Sequence, residues 1–228
     1  MKKLKGRVVG PLIFFSLFIW PGLFLGQELK PIKLNPPDKK RGLPFMEALA
    51  VRASVTEWSE KDLSLQDLSD LLWAANGINR PDSGKRTAAS AQNAQDVDIY
   101  VFMKEGVYLY EAKDHSLIPL LAGDYRTELF FVRPPAKAPE AKPAPNLAPV
   151  VLLLVSDISR FRSGSQELRL EWAAIDTGIV SQNISLFCAA TGLGTRPRAS
   201  MDRPKIKELL KLKESQIPFL NHPVGYKK

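Results

Sequence analysis

Cysteine and histidine, the residues that most often bind metals or attack substrates, are nearly absent from this chain of 228 residues. The single cysteine, Cys188, excludes an internal disulfide framework and any cysteine-ligated zinc or iron–sulfur cluster. The two histidines, His115 and His222, lie far apart in the sequence, which argues against a metal site. Cys188 stands in an apolar run, so we expect a packed thiol and not a nucleophile.

The sequence also lacks the short motifs of several enzyme classes. There is no G-x-S-x-G elbow, and Ser163-Gly164-Ser165 has no histidine near it in the sequence. A Walker phosphate loop and a G-x-G-x-x-G dinucleotide fingerprint are missing too, because Gly192-Leu193-Gly194 is too short and follows a helix. With 45% hydrophobic and 25% charged residues, the chain can still bury a sizeable core.

The charge is unevenly distributed. Basic residues exceed acidic ones by eight, which alone would favour a polyanion such as nucleic acid. Residues 1–46 carry seven of these excess charges, and the remainder has 23 basic and 22 acidic residues. Because no aromatic stacking positions interleave with the basic residues 39–41, we expect no nucleic-acid partner and instead a membrane-associated N-terminus.

Residues 1–26 have the pattern of a targeting segment. Four basic residues precede an uncharged apolar run over residues 8–25, which is typical of a signal peptide or a retained membrane anchor, and both alternatives stay open. Residues 27–43, rich in proline and lysine, are predicted to be a tether to the domain. We therefore expect an exported protein, periplasmic or anchored to the membrane and facing outside the cytoplasm.

The rest of the chain alternates helical and strand patterns. Ser64 begins a capped helix that Gly77 can end, a longer helix is expected over about 166–191, and a short amphipathic helix follows Asp202. Residues 97–103 and 107–111 predict a β-hairpin, and the apolar run over 148–157 predicts a central strand covered on both faces. The order indicates an α+β fold.

One segment departs from this order. Residues 133–149 contain six prolines, separated mainly by alanine and lysine. Such a stretch can be neither helix nor inner strand, so we expect an extended surface insert. A docking site for an SH3-like domain is the alternative.

An ordered set of short motifs resembles the nitroreductase family of flavin enzymes. Any one motif is weak, but their succession from about Pro44 to Tyr226 is specific. The matching pieces, in chain order, are R-A-S at 52–54, L-L-W-A-A-N-G-I-N-R at 71–80, R-T-A-A-S-A-Q-N-A-Q at 86–95, D-I-Y-V at 98–101, G-V-Y-L-Y at 106–110, G-D-Y-R at 123–126 and G-L-G-T at 192–195.

This resemblance implies that residues 44–228 form an FMN-binding domain with a mixed sheet flanked by helices, built as an intertwined homodimer. It assigns the flavin phosphate to Arg52 and Ser54, whose guanidinium and hydroxyl suit an anion. It further assigns cofactor-binding positions along the flavin ring and near its N5 atom to Ser90, Ala91, Asn93, Gln95, Gly178 and Ile179.

The implied reaction is hydride transfer through the flavin N5 atom, with NAD(P)H as a possible donor and a nitroaromatic or quinone-like small molecule as acceptor. No protein acid or base is required. The sequence departs from the family pattern at two positions, with Thr56 in place of a second arginine and Ala89 in place of a proline. Both departures reduce the number of expected contacts with the cofactor. The alternative is a flavin-binding or structural module of the same fold with reduced catalysis.

Overall fold

A computed structural model describes residues 28–130 and 147–228. The predicted targeting segment 1–26 and residues 133–146 of the proline-rich insert lie outside the described residues. The elements in chain order are β1 (Ile32–Lys33), α1 (Phe45–Val51), α2 (Leu65–Asn76), β2 (Ile78–Arg80), β3 (Lys85–Arg86), β4 (Val97–Phe102), β5 (Gly106–Glu111), β6 (Ser116–Ala122), β7 (Val150–Asp157), α3 (Gln166–Thr191), β8 (Leu193–Thr195), α4 (Arg203–Leu210) and β9 (Gln216–Tyr226).

Seven strands form one sheet in the order β1-β6-β5-β4-β7-β9-β8, and β2 pairs with β3 separately. Every pairing between the named strands is antiparallel. Among the described residues, the parallel element of the sheet is confined to an isolated bridge between Ser54 and Thr195. The α+β fold is thus confirmed, with a sheet that is largely antiparallel.

Strand β7 lies between β4 and β9, and all eight of its residues are buried. Leu152 and Leu154 belong to a core that also contains residues of α2 and α3, whereas Val151 and Leu153 belong to a second core with α4 residues. The predicted central strand with two covered faces is therefore correct, and it separates the two layers of helices.

The caps form where the sequence predicts them. The Ser64 hydroxyl accepts a hydrogen bond from the Asp67 backbone N–H at 3.0 Å, and α2 ends before Gly77. At Gly77 a Cβ would lie 2.7 Å from the Trp73 backbone, so a side chain would not fit. Helix α3 spans residues 166–191 as expected and ends at Gly192, whose φ of 79° lies in the left-handed region that favours glycine.

Helix α3 packs closely on the sheet because small residues recur on its buried face every four positions. The members of this stripe are Ala173, Thr177, Ser181, Ser185 and Ala189.

No helix within residues 28–130 and 147–228 is both long and apolar enough to cross a bilayer.

Residues 28–43, expected as a tether, instead pack against the domain. Strand β1 extends the sheet by pairing with β6, and Leu34 is buried in the core. The Arg41 guanidinium bridges Asp67 at 2.6 Å and Asp70 at 2.8 Å on α2. The lysines and prolines of this segment suggested a solvated chain, but the alternation of apolar and polar residues at 32–35 fits an edge strand.

Candidate functional site

Arg52 and Ser54, the predicted phosphate ligands, follow directly after α1. The Arg52 backbone N–H donates the last hydrogen bond of this helix to the Ala48 carbonyl at 3.0 Å. Ser54 forms an isolated β-bridge with Thr195. Both residues are exposed. Across the described ranges 28–130 and 147–228, neither side chain has a hydrogen-bond or ion-pair partner. Their donors are therefore available to an external anion.

A buried histidine links this segment to the middle of α3. His222 Nδ1 lies 3.2 Å from the Thr195 hydroxyl, and its Nε2 lies 2.8 Å from the Ser181 hydroxyl. The Thr195 hydroxyl donates to the Pro223 carbonyl, so it accepts from Nδ1–H and Ser181 donates to Nε2. Burial lowers the pKa of His222 to about 3, which keeps the ring neutral.

This link fixes the direction of α1. At the start of α1 the Leu43 N–H bonds the Ala190 carbonyl at 2.9 Å, and beyond its end Ser54 pairs with the Thr195 that His222 ties to Ser181. The seven residues of α1 cover about 10 Å, close to the roughly 13 Å between residues 181 and 190 of α3. Helix α1 therefore runs antiparallel to the C-terminal half of α3, and Ser54 connects to Ser181 through Thr195 and His222.

The second predicted group, the loop of residues 90–95, has an unusual backbone. Gln92, Asn93 and Gln95 have φ values of 55°, 53° and 49°. Each of these residues carries a Cβ in the left-handed region, which costs on the order of 1 kcal/mol or more per residue. Such a conformation persists only where the surroundings hold it, and strained loops of this kind cluster at functional sites.

The surroundings hold this loop from three sides. The Ala91 N–H donates to Asp176 of α3 at 2.8 Å, and the Gln92 amide donates to the Ser163 hydroxyl at 2.8 Å while accepting from the Arg162 N–H. Within the loop, the Ser90 hydroxyl accepts from the Gln95 N–H at 2.9 Å. The loop is therefore fixed to α3 and to the connection before it.

Gln95 is held by two arginines. Arg86 donates to its side-chain oxygen at 3.0 Å, its side-chain nitrogen donates to the Gly84 carbonyl, and Arg160 donates to its backbone carbonyl at 2.8 Å. Both ends of the Gln95 amide are thus engaged inside the chain. Asn93, in contrast, is exposed and, among the described residues, its side chain has no hydrogen-bond partner.

Arg160 is itself anchored by Asp98 on β4 through two hydrogen bonds of 2.9 and 2.5 Å. Burial alone would lower the pKa of Arg160, but the hydrogen bonds and charge of Asp98 raise it on balance. Burial raises the pKa of Asp98, although Arg160 opposes this shift. The guanidinium stays charged, and it joins the loop to the sheet.

Gly178 and Ile179, the third predicted group, lie on α3 just after Asp176, which holds the loop. Gly178 is exposed, and a Cβ built on it meets nothing within 4 Å, so the helix surface there is open to a flat ligand. Ile179 is half-buried and packs against the core. Gly178 and Ile179 thus lie between Asp176, which bonds the 90–95 loop, and Ser181, which His222 and Thr195 connect to Ser54.

The sequence motifs did not reveal three residues of this site, namely Asp176, Arg160 and His222. Asp176 had a visible signal, because it places a carboxylate on a helix face that is otherwise uncharged. Arg160 and His222 had none, since each acts through contacts with residues distant in the sequence.

Comparisons with known proteins identify the family of this chain. Residues 49–226 match the family model described as the nitroreductase family. A candidate nitroreductase from Methanocaldococcus jannaschii is 31% identical over 202 residues, covering 86% of this chain and 97% of that protein.

Solved structures give the same result. A crystal structure of a candidate nitroreductase from Ralstonia eutropha JMP134 superposes with a TM-score of 0.78 at 30% identity, covering 98% of this chain and 96% of that one. A candidate NADH oxidase from Clostridium acetobutylicum, at 18% identity and a TM-score of 0.51, covers 79% of this chain and 87% of its own and shares the fold. The family supports an oxidoreductase activity, and the chain belongs to the nitroreductase family.

Proposed function

We propose that this protein is an FMN-dependent oxidoreductase that passes hydride equivalents to a nitroaromatic or quinone-like acceptor. The observation that carries the proposal is the convergence on α3. The strained 90–95 loop bonds Asp176, two residues before the open Gly178. Ser54, two residues after Arg52, connects through Thr195 and His222 to Ser181, three residues after Gly178.

The residues present fit a flavin mononucleotide. Arg52 and Ser54 would hold the phosphate, for which a charged fork and a hydroxyl are suitable donors. The exposed Asn93 amide would bond the polar edge of the ring, and Gly178 would let the ring lie close to the helix. Bound FMN supplies the hydride chemistry, while the chain binds and orients it and excludes water. Gln95, already engaged at both ends, would support the loop and not contact the cofactor.

A homodimer is part of the proposal. Helix α1 exposes large apolar side chains, with Phe45 at 64% and Met46 at 73% exposure, and Ile175 on α3 is 53% exposed. Phe45 and Met46 are neighbours on α1, and exposed apolar side chains of this size mark a surface that another protein covers. A second copy of this chain is the proposed partner, because a symmetric dimer would cover the surface on both subunits. The second subunit would also exclude water beside the site.

We further propose that the basic and apolar residues 1–26 direct export and leave the domain periplasmic or anchored to the membrane. Nicotinamide donors are cytoplasmic, so an exported enzyme would take electrons from another reductant. Fusing residues 1–43 to a reporter that is active only outside the cytoplasm tests this; an inactive fusion would contradict it.

The main test is cofactor content. The purified full-length chain should be yellow, with flavin absorbance, or should take up added FMN. A protein that stays colourless and binds no FMN would refute the proposal and leave a structural module of the same fold.

Arg52→Ala tests the phosphate assignment. We expect the FMN dissociation constant to rise roughly tenfold to a hundredfold, since a hydrogen bond to a charged group is worth about 1.5–3 kcal/mol. Arg203→Ala, at an exposed arginine on α4, is the matched control and should leave the constant unchanged. Equal constants for both variants would show the phosphate assignment to be wrong.

A further inference from the structure

Two buried carboxyl groups face each other beneath the 90–95 loop. Asp96 precedes β4 and is fully buried, and Asp176 on α3 is 3% exposed. One Asp176 oxygen accepts the Ala91 N–H, and one Asp96 oxygen accepts the Ser156 hydroxyl. Ala91 bonds Asp176, and its neighbour Ser90 bonds Gln95, the residue before Asp96, so the two carboxyl groups are close enough to interact.

The remaining oxygen of Asp96, Oδ1, is buried and has no donor among the described residues. An unsatisfied buried acceptor is costly, and two carboxylates in contact inside a protein repel too strongly for both to be ionised. A single proton on Asp96 Oδ1 removes both problems, because it donates to Asp176. The result is a continuous chain of hydrogen bonds, in which Ser156 donates to Asp96, Asp96 donates to Asp176, and Asp176 also accepts the Ala91 N–H.

The charged groups around the pair do not replace this proton. Arg160, from the turn after β7, lies close enough to feel the charge of Asp96, but its donors are committed to Asp98 and Gln95. The Asp157 backbone N–H bonds the Asp96 carbonyl, and its carboxylate adds negative charge. From β3, Arg86 is bonded to Gln95 and the Asn76 carbonyl.

We propose that Asp96 and Asp176 share one proton and that this proton fastens the 90–95 loop to α3, so that the loop and Gly178 keep a fixed geometry on the flavin. The pair consists of positioning residues and does not touch the reacting atoms. The part of this inference that concerns the flavin rests on the proposed function.

Burial raises the pKa of Asp96 to about 7, with the Asp176 charge adding to the shift and the Ser156 hydroxyl opposing it. The proton therefore leaves as the pH rises through about 7. The doubly charged pair then repels, and the loop loses the contact between Asp96 and α3 while the Ala91 bond to Asp176 remains. Cofactor affinity should be highest below this pH and fall above it.

Infrared difference spectroscopy of the full-length apoprotein tests the shared proton without any flavin. We expect a protonated carboxyl C=O band at pH 6 that disappears near pH 7 and is missing in Asp96→Asn. The amide in this variant donates to Asp176 permanently and so imitates the protonated state. A wild-type spectrum without the band at pH 6, or a band that titrates only below pH 5, would overturn the proposal.

The pH profile of FMN binding tests the positioning role. Between pH 6 and pH 8 the wild-type dissociation constant should rise about tenfold relative to that of Asp96→Asn, which shares the titration of the FMN phosphate but lacks the proton. Asp176→Asn keeps an acceptor for Ala91 and a donor for Asp96, so it serves as the reference variant if Asp96→Asn does not fold. The wild-type dissociation constant should then rise by the same factor relative to that of Asp176→Asn. Parallel profiles for wild type and variants would refute the positioning role.

The outcomes separate this inference from the proposed function. If the protein binds no FMN at any pH, the proposed function fails while the infrared titration still decides whether the pair shares a proton. If FMN binds but no protonated carboxyl is present, the inference fails and the proposed function stands.

Discussion

The 90–95 loop and the segment of residues 52–54 approach the same helix but are built in opposite ways. The loop is held by Asp176, Arg160 and Arg86, and it keeps three residues in the left-handed region. The segment after α1 has two exposed polar side chains without partners among residues 28–130 and 147–228, and the helix before it exposes apolar residues.

The loop is held in place by contacts within the single chain, whereas the polar side chains of residues 52–54 are left exposed. The loop is organised before any ligand arrives, so little ordering entropy would be lost when a flat ring binds it. Residues 52–54 carry the exposed donors that we propose bind an anion, and the helix before them exposes the apolar residues that we propose a second subunit covers. Changes in the loop should therefore alter the stability of the chain, whereas changes at α1 should alter assembly and binding.

The largest expected effect comes from the apolar face of α1. Replacing both Phe45 and Met46 by glutamate should weaken the homodimer at least about a thousandfold, because both subunits lose large buried side chains worth about 1.5–3 kcal/mol each. Sedimentation velocity across a concentration series measures this. Leu120→Glu, at an exposed leucine of β6, is the control and should leave the dimer intact. Equal assembly of both variants would place the interface elsewhere.

The next effect contrasts two arginines. Arg160→Ala should lower the free energy of unfolding by about 2–3 kcal/mol, because it leaves the Asp98 charge unpaired and the Gln95 carbonyl without its donor. Arg52→Ala should change it by less than about 0.5 kcal/mol, since the exposed side chain has no partner in the part of the chain that the structure describes. Urea denaturation of the apoproteins compares them. A loss for Arg160→Ala as small as the one expected for Arg52→Ala would show that Arg160 does not hold the loop.

Local patterns predicted the elements that local interactions form. The cap at Ser64, the stop at Gly192 and the apolar run of β7 each report on neighbours within a few residues, and all three hold in the structure. Strand β9 escaped prediction because Pro218 and Pro223 argue against an inner strand. Strand β7 shifts register opposite the first of them, between Leu154 and Val155, and so accommodates the proline.

The candidate site divides in the same way. The motifs predicted the residues at 52–54 and 90–95, because a short stretch of sequence carries each group, whereas 178–179 followed only from the looser part of the family resemblance. They did not reveal that Gln95 supports the loop or that Asp96 meets Asp176, since those contacts join β4, α3 and the preceding loops across the fold. Polar side chains that act through tertiary contacts leave no periodicity to read.

The smallest expected effect isolates the backbone of the loop from its contacts. Asn93 has a φ of 53° and an exposed side chain, so substitutions there change the conformational preference and little else. Asn93→Ala should lower the free energy of unfolding by about 1 kcal/mol, because a Cβ without a local hydrogen-bonding group disfavours the left-handed region. Asn93→Gly should be nearly neutral, since relief of strain offsets the greater entropy of its unfolded chain. Urea denaturation of both variants gives the comparison, and a loss as large for glycine as for alanine would mean that the Asn93 side chain, and not the backbone, stabilises the loop.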